Sequence, residues 1–92
     1  SAKKSAESKD EAEMLIEIKG QILDYQSKKT IEKVEIKLKN TNNKTYSDKF
    51  GNFSLQISEK NATLVLSKAG YLTQEVSNLT NQKLTIFLQV NP

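Results

Sequence analysis

The sequence predicts an all-β protein, an antiparallel β-sandwich of about seven short strands. From residue 14 onward, apolar and polar residues alternate with a period of two, which is typical of strands that bury one face. Turn-forming residues interrupt this alternation roughly every 8 to 12 residues, as they do in sandwiches and barrels. The single proline is the C-terminal residue, so no predicted strand is interrupted.

The first two predicted strands show the alternation most clearly. Their inward-facing residues are Ile16, Ile18, Gly20, Ile22, Val34, Ile36 and Leu38. Polar side chains occupy the positions between them, where a half-buried strand faces solvent. The connection over residues 24–30 is polar, and we expect Ile31 to turn back into the core.

A turn and a hairpin follow these strands. Residues 40–43 include three asparagines, which tolerate left-handed backbone and therefore favour a turn. A short strand is predicted over residues 44–48, and Gly51 then supplies the positive φ that a tight turn needs. The inward-facing residues of the next strand are Phe53, Leu55 and Ile57.

The last three predicted strands span residues 62–68, 71–77 and 83–90. The inward-facing residues of the first and last are Leu64, Leu66, Leu84, Ile86, Leu88 and Val90. In the middle strand, Leu72 and Val76 share one side. A five-stranded open barrel is the alternative architecture, but short and numerous inward-facing rows favour the sandwich.

Residues 1–13 differ in composition from the rest of the chain. They contain lysine, serine, aspartate and glutamate, with alanine as the only apolar residue. Because such a segment buries too little apolar surface to offset its ordering entropy, we predict a flexible linker or tail here and one domain over residues 14–92. A marginal helix capped at Ser8 is the alternative, since alanine, lysine and glutamate are good helix formers.

Composition excludes several classes of functional site. The chain has no cysteine, histidine, tryptophan or arginine, which rules out disulfides, thiolate metal sites and a histidine general base. Its net charge is +3, and the lysines are spread along the chain, which favours a solvated surface over nucleic-acid binding. No apolar run is long enough to cross a bilayer, so we expect no membrane insertion by this segment.

The acidic residues do not form a catalytic pattern. By strand parity Glu17, Glu35 and Glu75 fall on polar faces, where a carboxylate is solvated rather than prepared for acid–base chemistry. The loop at Asp48 has too few carboxylates for a calcium site. We therefore predict that the protein is not an enzyme and has no metal or cofactor site.

Several short motifs occur in a fixed order over residues 15–90. They are Gly20-Gln21-Ile22, Asp24, the run from Val34 to Leu38, the segment from Ser47 to Leu55, and Gly70-Tyr71. With this order and spacing the chain resembles a carboxypeptidase regulatory-like domain, a transthyretin-like (prealbumin-like) β-sandwich. Thr30-Ile31 stands where the family usually has proline followed by leucine or isoleucine, and Ser47 stands where it usually has threonine. Both replacements suit an extended segment.

The resemblance implies a non-catalytic accessory domain of a larger bacterial cell-envelope protein, located in the periplasm, in the outer membrane or at the surface. Such domains support or dock a neighbour, and some precede TonB-dependent outer-membrane transporters. The expected partners are other domains of the parent protein or envelope proteins. A carbohydrate-binding or adhesive module is the alternative, with a glycan as its partner and Tyr25, Tyr46 and Phe50 as its candidate aromatic residues.

The motif residues have structural roles that need no ligand. The residues that we expect to shape the fold are Gly20, Asp48, Gly51, Phe53, Gly70 and Tyr71. Asp48 is suited to accept hydrogen bonds from turn amides, and Phe53 to fill the core. Gly70 allows a bulge or a close approach of backbones. Tyr71 is expected to bury its ring and to find a hydrogen-bond partner for its hydroxyl.

Two apolar residues fall on faces where polar residues are expected. Val65 and Phe87 lie opposite the inward-facing rows of their strands. If those strands are neighbours, the two side chains form an apolar partner patch. The alternative is that a loop or the N-terminal tail covers one sheet.

Overall fold

The computed structural model describes residues 15–58, 62–80 and 82–92, and within them it confirms the β-sandwich. The strands are β1 (Ile16–Asp24), β2 (Glu35–Leu38), β3 (Lys44–Tyr46), β4 (Asn52–Ile57), β5 (Leu64–Ser67), β6 (Gln74–Val76) and β7 (Leu84–Leu88). They form a three-stranded sheet in the order β4-β1-β7 and a four-stranded sheet in the order β3-β2-β5-β6. The predicted linker or tail over residues 1–13 lies outside the described residues.

One strand pair departs from the antiparallel prediction. The strands β1 and β7 run parallel, with Gly20 opposite Leu84 and Leu23 opposite Phe87. The other strand pairs are antiparallel, including β1 with β4 and β2 with β5. The strand β7 is the last in the chain, and the chain passes through the four-stranded sheet before β7 pairs with β1. Alternation within β7 shows which residues face inward, but it could not reveal the direction in which β7 runs beside β1.

The core fills the space between the two sheets. Its buried side chains include Ile18, Ile22, Ile31, Val34, Ile36, Leu38, Phe53, Leu55, Ile57, Leu64, Leu66, Ile86 and Leu88. These are the alternate positions that the sequence predicts, together with Ile31, which returns from the β1–β2 connection. Burial of this apolar area is the main stabilising term, because the chain has no disulfide.

The predicted ends of the last strands are wrong at two positions. Val90 was expected inside but is 54% exposed. Leu72 was expected to share one side of a strand with Val76, but β6 begins only at Gln74, and Leu72 lies outside it and is 44% exposed. The reason is that β7 ends at Leu88, after which the chain pairs with residues 70–72 instead of β1. The amide of Leu72 donates to the Gln89 carbonyl at 2.8 Å, and the Asn91 amide donates to the Gly70 carbonyl at 2.9 Å.

Ser47 explains why β3 is shorter than predicted. It is the buried polar residue among those described, with 4% of its surface exposed. Its Oγ donates to the Ile31 carbonyl at 2.8 Å and accepts from the Val34 amide at 2.9 Å. The Ser47 amide still donates to the Val34 carbonyl at 3.0 Å, but the hydroxyl replaces the Ser47 carbonyl as acceptor of the Val34 amide. Regular ladder pairing therefore ends here, and the end of the β1–β2 connection is held against the core.

Candidate functional site

The hairpin turn between β3 and β4 is built by Asp48 and Gly51. One carboxylate oxygen of Asp48 accepts from the amides of Phe50 and Asn52, both at 2.9 Å. Gly51 has a φ of 78°, and a Cβ there would lie 2.5 Å from the Ile22 carbonyl oxygen. Both motif residues are thus engaged in forming the turn, and the Asp48 carboxylate is occupied by backbone amides.

Gly20 and Phe53 form a second structural pair. They are opposite each other in the β1–β4 ladder. A Cβ at Gly20 would lie 2.5 Å from Cε2 of the Phe53 ring, and only 6% of Phe53 is exposed. The glycine is therefore needed because the aromatic ring lies directly over it.

Tyr71 bonds to the aspartate of the first motif, 47 residues earlier in the chain. Its hydroxyl donates to Oδ2 of Asp24 at 2.7 Å, and Oδ1 accepts from the amides of Gln26 and Ser27. These bonds, first the Ser27 amide and then the Tyr71 hydroxyl, lower the pKa of Asp24 below its usual value. The same hydrogen bond, followed by burial, raises the pKa of Tyr71.

Gly70, next to this tyrosine, has a φ of 92°, and a Cβ added there would meet open space. Its role is thus a left-handed turn and not the close backbone approach that was an alternative in the prediction.

The predicted patch of Val65 and Phe87 does not form. Val65 is in β5 of the four-stranded sheet, whereas Phe87 is in β7 of the other sheet. Val65 is half-buried between the positions of Lys37 and Glu75 on the neighbouring strands. The prediction is wrong because it needed the two strands to be adjacent, and the topology places them in different layers.

Phe87 instead belongs to an aromatic patch at one end of the three-stranded sheet. We define this patch as Leu23 of β1, Phe87 opposite it on β7, and Tyr25, which directly follows β1. The rings of Tyr25 and Phe87 meet edge to face, with centroids 6.3 Å apart. Nζ of Lys28 lies 4.5 Å from the Tyr25 centroid and 5.0 Å from the Phe87 centroid. The patch is therefore apolar and carries a positive charge above its rings.

A shallow pocket adjoins this patch. It has a volume of about 350 Å³ and is lined by Asp24, Tyr25, Gln26, Gln89, Val90 and Pro92. Its wall combines an aromatic ring, two amide side chains and the carboxylate that Tyr71 holds in place. The exposed position of Val90, which was predicted to be buried, contributes the apolar part of the wall.

The other exposed aromatic residues do not join this surface. Tyr46 is 53% exposed on β3, and its hydroxyl lies 3.5 Å from a Glu35 carboxylate oxygen. Phe50 is 59% exposed in the β3–β4 turn, with Lys49 5.4 Å from its ring centroid. In the described ranges, neither ring contacts Tyr25, so the three candidate aromatic residues do not form one platform.

The carboxylates of the strands lie on outer faces and pair with lysines. Glu75 is 3.2 Å from Lys39, and Glu35 is 3.7 Å from Lys44. Over residues 15–58, 62–80 and 82–92, no group of three or more acidic, histidine or cysteine side chains is placed to hold a metal ion. The same part of the chain contains no helix that is both long and apolar enough to cross a membrane.

The family model of the CarboxypepD_reg-like domain matches residues 18–92. The chain belongs to this family. The match begins in β1 and includes the motifs at Asp24, Asp48 and Tyr71. In the structure a hydrogen bond joins Tyr71 to Asp24, and Asp48 accepts from an amide of the turn between β3 and β4. A CarboxypepD_reg-like domain of this kind is a β-sandwich module and not a catalytic fold.

Solved structures agree with the fold of this CarboxypepD_reg-like domain. The chain is similar to a chain in the crystal structure of a type II cohesin–X-dockerin complex from Acetivibrio cellulolyticus, with a TM-score of 0.65 and 19% identity. The similarity covers 79% of this chain but only 56% of the other, so this likeness concerns the sandwich fold. A comparison with curated proteins gave no match.

Sequence reasoning missed Leu23 and Lys28 as parts of the surface. The alternation in β1 predicts that Leu23 faces away from the core, but its position beside Phe87 depends on the parallel pairing of β1 and β7. Lys28 has a φ of 63° in the β1–β2 connection, which brings its side chain back over the rings. The sequence signal for this surface was Phe87, an apolar residue on an outward face. It was predicted to form a patch with Val65, whereas its neighbours are Leu23 and Tyr25.

Proposed function

We propose that this CarboxypepD_reg-like domain is a non-catalytic docking module of a larger bacterial cell-envelope protein. The observation that carries the proposal is the aromatic patch, which exposes 50% of Tyr25 and 37% of Phe87 on one side of a sheet. Exposed aromatic side chains next to a cation are common anchors of protein interfaces. The partner is another domain of the parent protein or an envelope protein.

We propose a TonB-dependent outer-membrane transporter as the parent protein. In that setting the domain lies in the periplasm and contacts its neighbour without taking part in transport chemistry. The support is the family membership of residues 18–92 together with an outer surface suited to contact.

Photocrosslinking in the intact parent protein tests the docking role. A photoreactive phenylalanine analogue placed at position 87 reports neighbours of the aromatic patch, and the same analogue at position 65 is the matched control on the opposite sheet. We expect a defined crosslinked product from position 87 and little product from position 65. Cell fractionation of the same strain tests the envelope location.

Two results would contradict this function. Equal crosslinking from positions 87 and 65 would show that the patch is not a specific contact surface. Recovery of the parent protein in the cytoplasmic fraction would remove the envelope setting and with it the transporter.

Carbohydrate binding is the second candidate function, and the pocket beside Tyr25 favours it. A sugar ring can pack on the aromatic ring and on Val90 while its hydroxyls bond to Gln26 and Gln89. Titration of a polysaccharide panel with tyrosine fluorescence as the readout tests this function. A saturable signal that is lost in Gln89→Ala, which keeps Tyr25 as the reporter, supports it, whereas the absence of any response across the panel rejects it.

A further inference from the structure

The edge of β7 is open along its middle. The Leu88 carbonyl accepts from the Tyr25 amide at 2.9 Å, so the backbone groups of Leu88 point toward β1. The next carbonyl, at Gln89, points the opposite way and accepts from Leu72. Because backbone groups alternate along a strand, those of Thr85 and Phe87 also point away from β1. In the described residues no backbone group pairs with them.

The edge of β4, on the other side of the same sheet, is partly covered at both of its ends. The Asn52 carbonyl accepts from the Asp48 amide at 2.9 Å, and the Gln56 carbonyl accepts from the Asn43 side chain at 2.8 Å. Among the described residues, the outward amide and carbonyl of Ser54 and the outward amide of Gln56 have no partner. Proteins commonly protect edge strands in this manner, so an open edge beside an aromatic patch needs an explanation.

We propose that β7 accepts an extended acidic segment of the partner protein as an added strand. The proposal rests on the docking role above and specifies the chemistry of the partner. Main-chain hydrogen bonds to Thr85 and Phe87 provide the pairing, and the side chain of Phe87 offers an apolar contact on the outer face. Residues 70–72 already pair antiparallel with the chain just beyond β7, so this edge supports addition of a further extended segment.

Charge identifies the partner segment as acidic. Lys28 lies over the rings of the patch, and Lys83 immediately precedes β7. Across the part of the chain that the structure describes, neither lysine has a carboxylate within salt-bridge distance. The nearest acidic group of the patch, Asp24, is already bonded to Tyr71 and two amides. A carboxylate of the partner would therefore meet positive charge at both ends of β7.

Nuclear magnetic resonance of the full chain, labelled with nitrogen-15, tests the proposal. The probe is a synthetic peptide of alternating valine and glutamate with blocked ends, and its control replaces each glutamate with lysine. We expect saturable shifts of the Thr85 and Phe87 amides with the acidic peptide and at least about tenfold weaker binding of the lysine peptide. Added salt should weaken the acidic complex.

Matched proline variants distinguish main-chain pairing at the β7 edge from nonspecific peptide binding. Thr85→Pro removes an outward amide without removing a β1–β7 hydrogen bond, and an edge strand tolerates such a proline. Ser54→Pro makes the same change on β4. We expect Thr85→Pro to weaken peptide binding by at least about tenfold and Ser54→Pro to leave it unchanged. Lys28→Gln, which does not alter the backbone, should weaken it by about two- to fivefold.

Three results would overturn strand addition. Shifts centred on β3, β4 or β6 would place the peptide elsewhere, and equal binding of the lysine peptide would remove the acidic requirement. Peptide-independent shifts at β7 that grow with protein concentration would show that a second copy of the chain occupies this edge. If crosslinking from position 87 in the parent succeeds while the peptide fails, docking stands and strand addition is rejected.

Discussion

The two edges of the three-stranded sheet are built differently. At β4, the Asp48 turn and the Asn43 side chain occupy the outward carbonyls of Asn52 and Gln56. At β7, the outward groups of Thr85 and Phe87 have no such cover among the described residues, and an aromatic patch lies beside them. The turn chemistry at Asp48 therefore serves stability, whereas we assign recognition to the β7 edge, which contains no turn motif.

Substitutions in the turn between β3 and β4 should therefore reduce stability, whereas substitutions at the open edge of β7, such as Thr85→Pro, should reduce binding. Chemical denaturation of the folded chain gives the free energy of unfolding, and peptide titration gives the affinity.

The largest loss of stability is expected for Gly51→Ala. The alanine must adopt a positive φ, and its Cβ would also overlap the Ile22 carbonyl oxygen. We expect a loss of about 3 kcal/mol or more in the free energy of unfolding. Gly70→Ala is the control, because its φ is also positive but the space is open, and it should lose only about 1 to 2 kcal/mol. Equal losses would contradict the close packing of the turn on β1.

Ser47→Ala should have the next largest effect. It removes the hydroxyl that bonds the Ile31 carbonyl and the Val34 amide, and both backbone groups are left in a buried environment. We expect a loss of about 1 to 3 kcal/mol in urea denaturation. Ser47→Thr keeps the hydroxyl and is the control, so a similar loss in both variants would show that packing, not hydrogen bonding, determines the effect.

The Asp24–Tyr71 bond predicts a pH dependence on the β7 side. Because the pKa of Asp24 is lowered from 3.8, its contribution is complete above that pH and is lost as the pH falls through the folded-state pKa. Because the pKa of Tyr71 is raised from 10.0, its contribution is complete below that pH and is lost as the pH rises through the folded-state pKa.

The measurement is the free energy of unfolding against pH for the original chain and Tyr71→Phe. The variant should lose the alkaline decrease assigned to Tyr71 and show a smaller acid decrease. An unchanged alkaline decrease in Tyr71→Phe would assign that transition to another group.

The smallest stability effect is expected for Asn43→Ala, which exposes the Gln56 carbonyl at the covered edge. Since the lost hydrogen bond is exposed, we expect a change of about 0.5 to 1 kcal/mol. The variant also tests recognition: β4 gains an open carbonyl but has no aromatic patch, so acidic peptide binding should stay at β7. Peptide shifts that move to β4 would show that any open edge is sufficient.

Local chemistry made much of this fold predictable. The alternation at Ile18, Ile22 and Leu66 identified strands and core positions, because each depends only on which face of its own strand is buried. Gly51 was likewise predictable from turn geometry.

Features that depend on distant strands were not predictable in the same way. The direction of β7 relative to β1, the separation of Val65 from Phe87, and the exposure of Val90 all follow from topology. Single-strand alternation assigns a residue to a face, but it does not tell which strand lies beside it. The aromatic patch was missed for this reason.

Amide hydrogen exchange, measured in the isolated domain and in the intact parent protein, tests the central claim most directly. In the isolated domain, the amides of Thr85 and Phe87 should exchange rapidly, whereas those of Ile86 and Leu88 should be protected by pairing with β1. In the parent protein, we expect Thr85 and Phe87 to become protected while Ser54 on β4 remains unchanged. Rapid exchange at Thr85 and Phe87 in both samples would contradict the assignment of β7 as the docking edge.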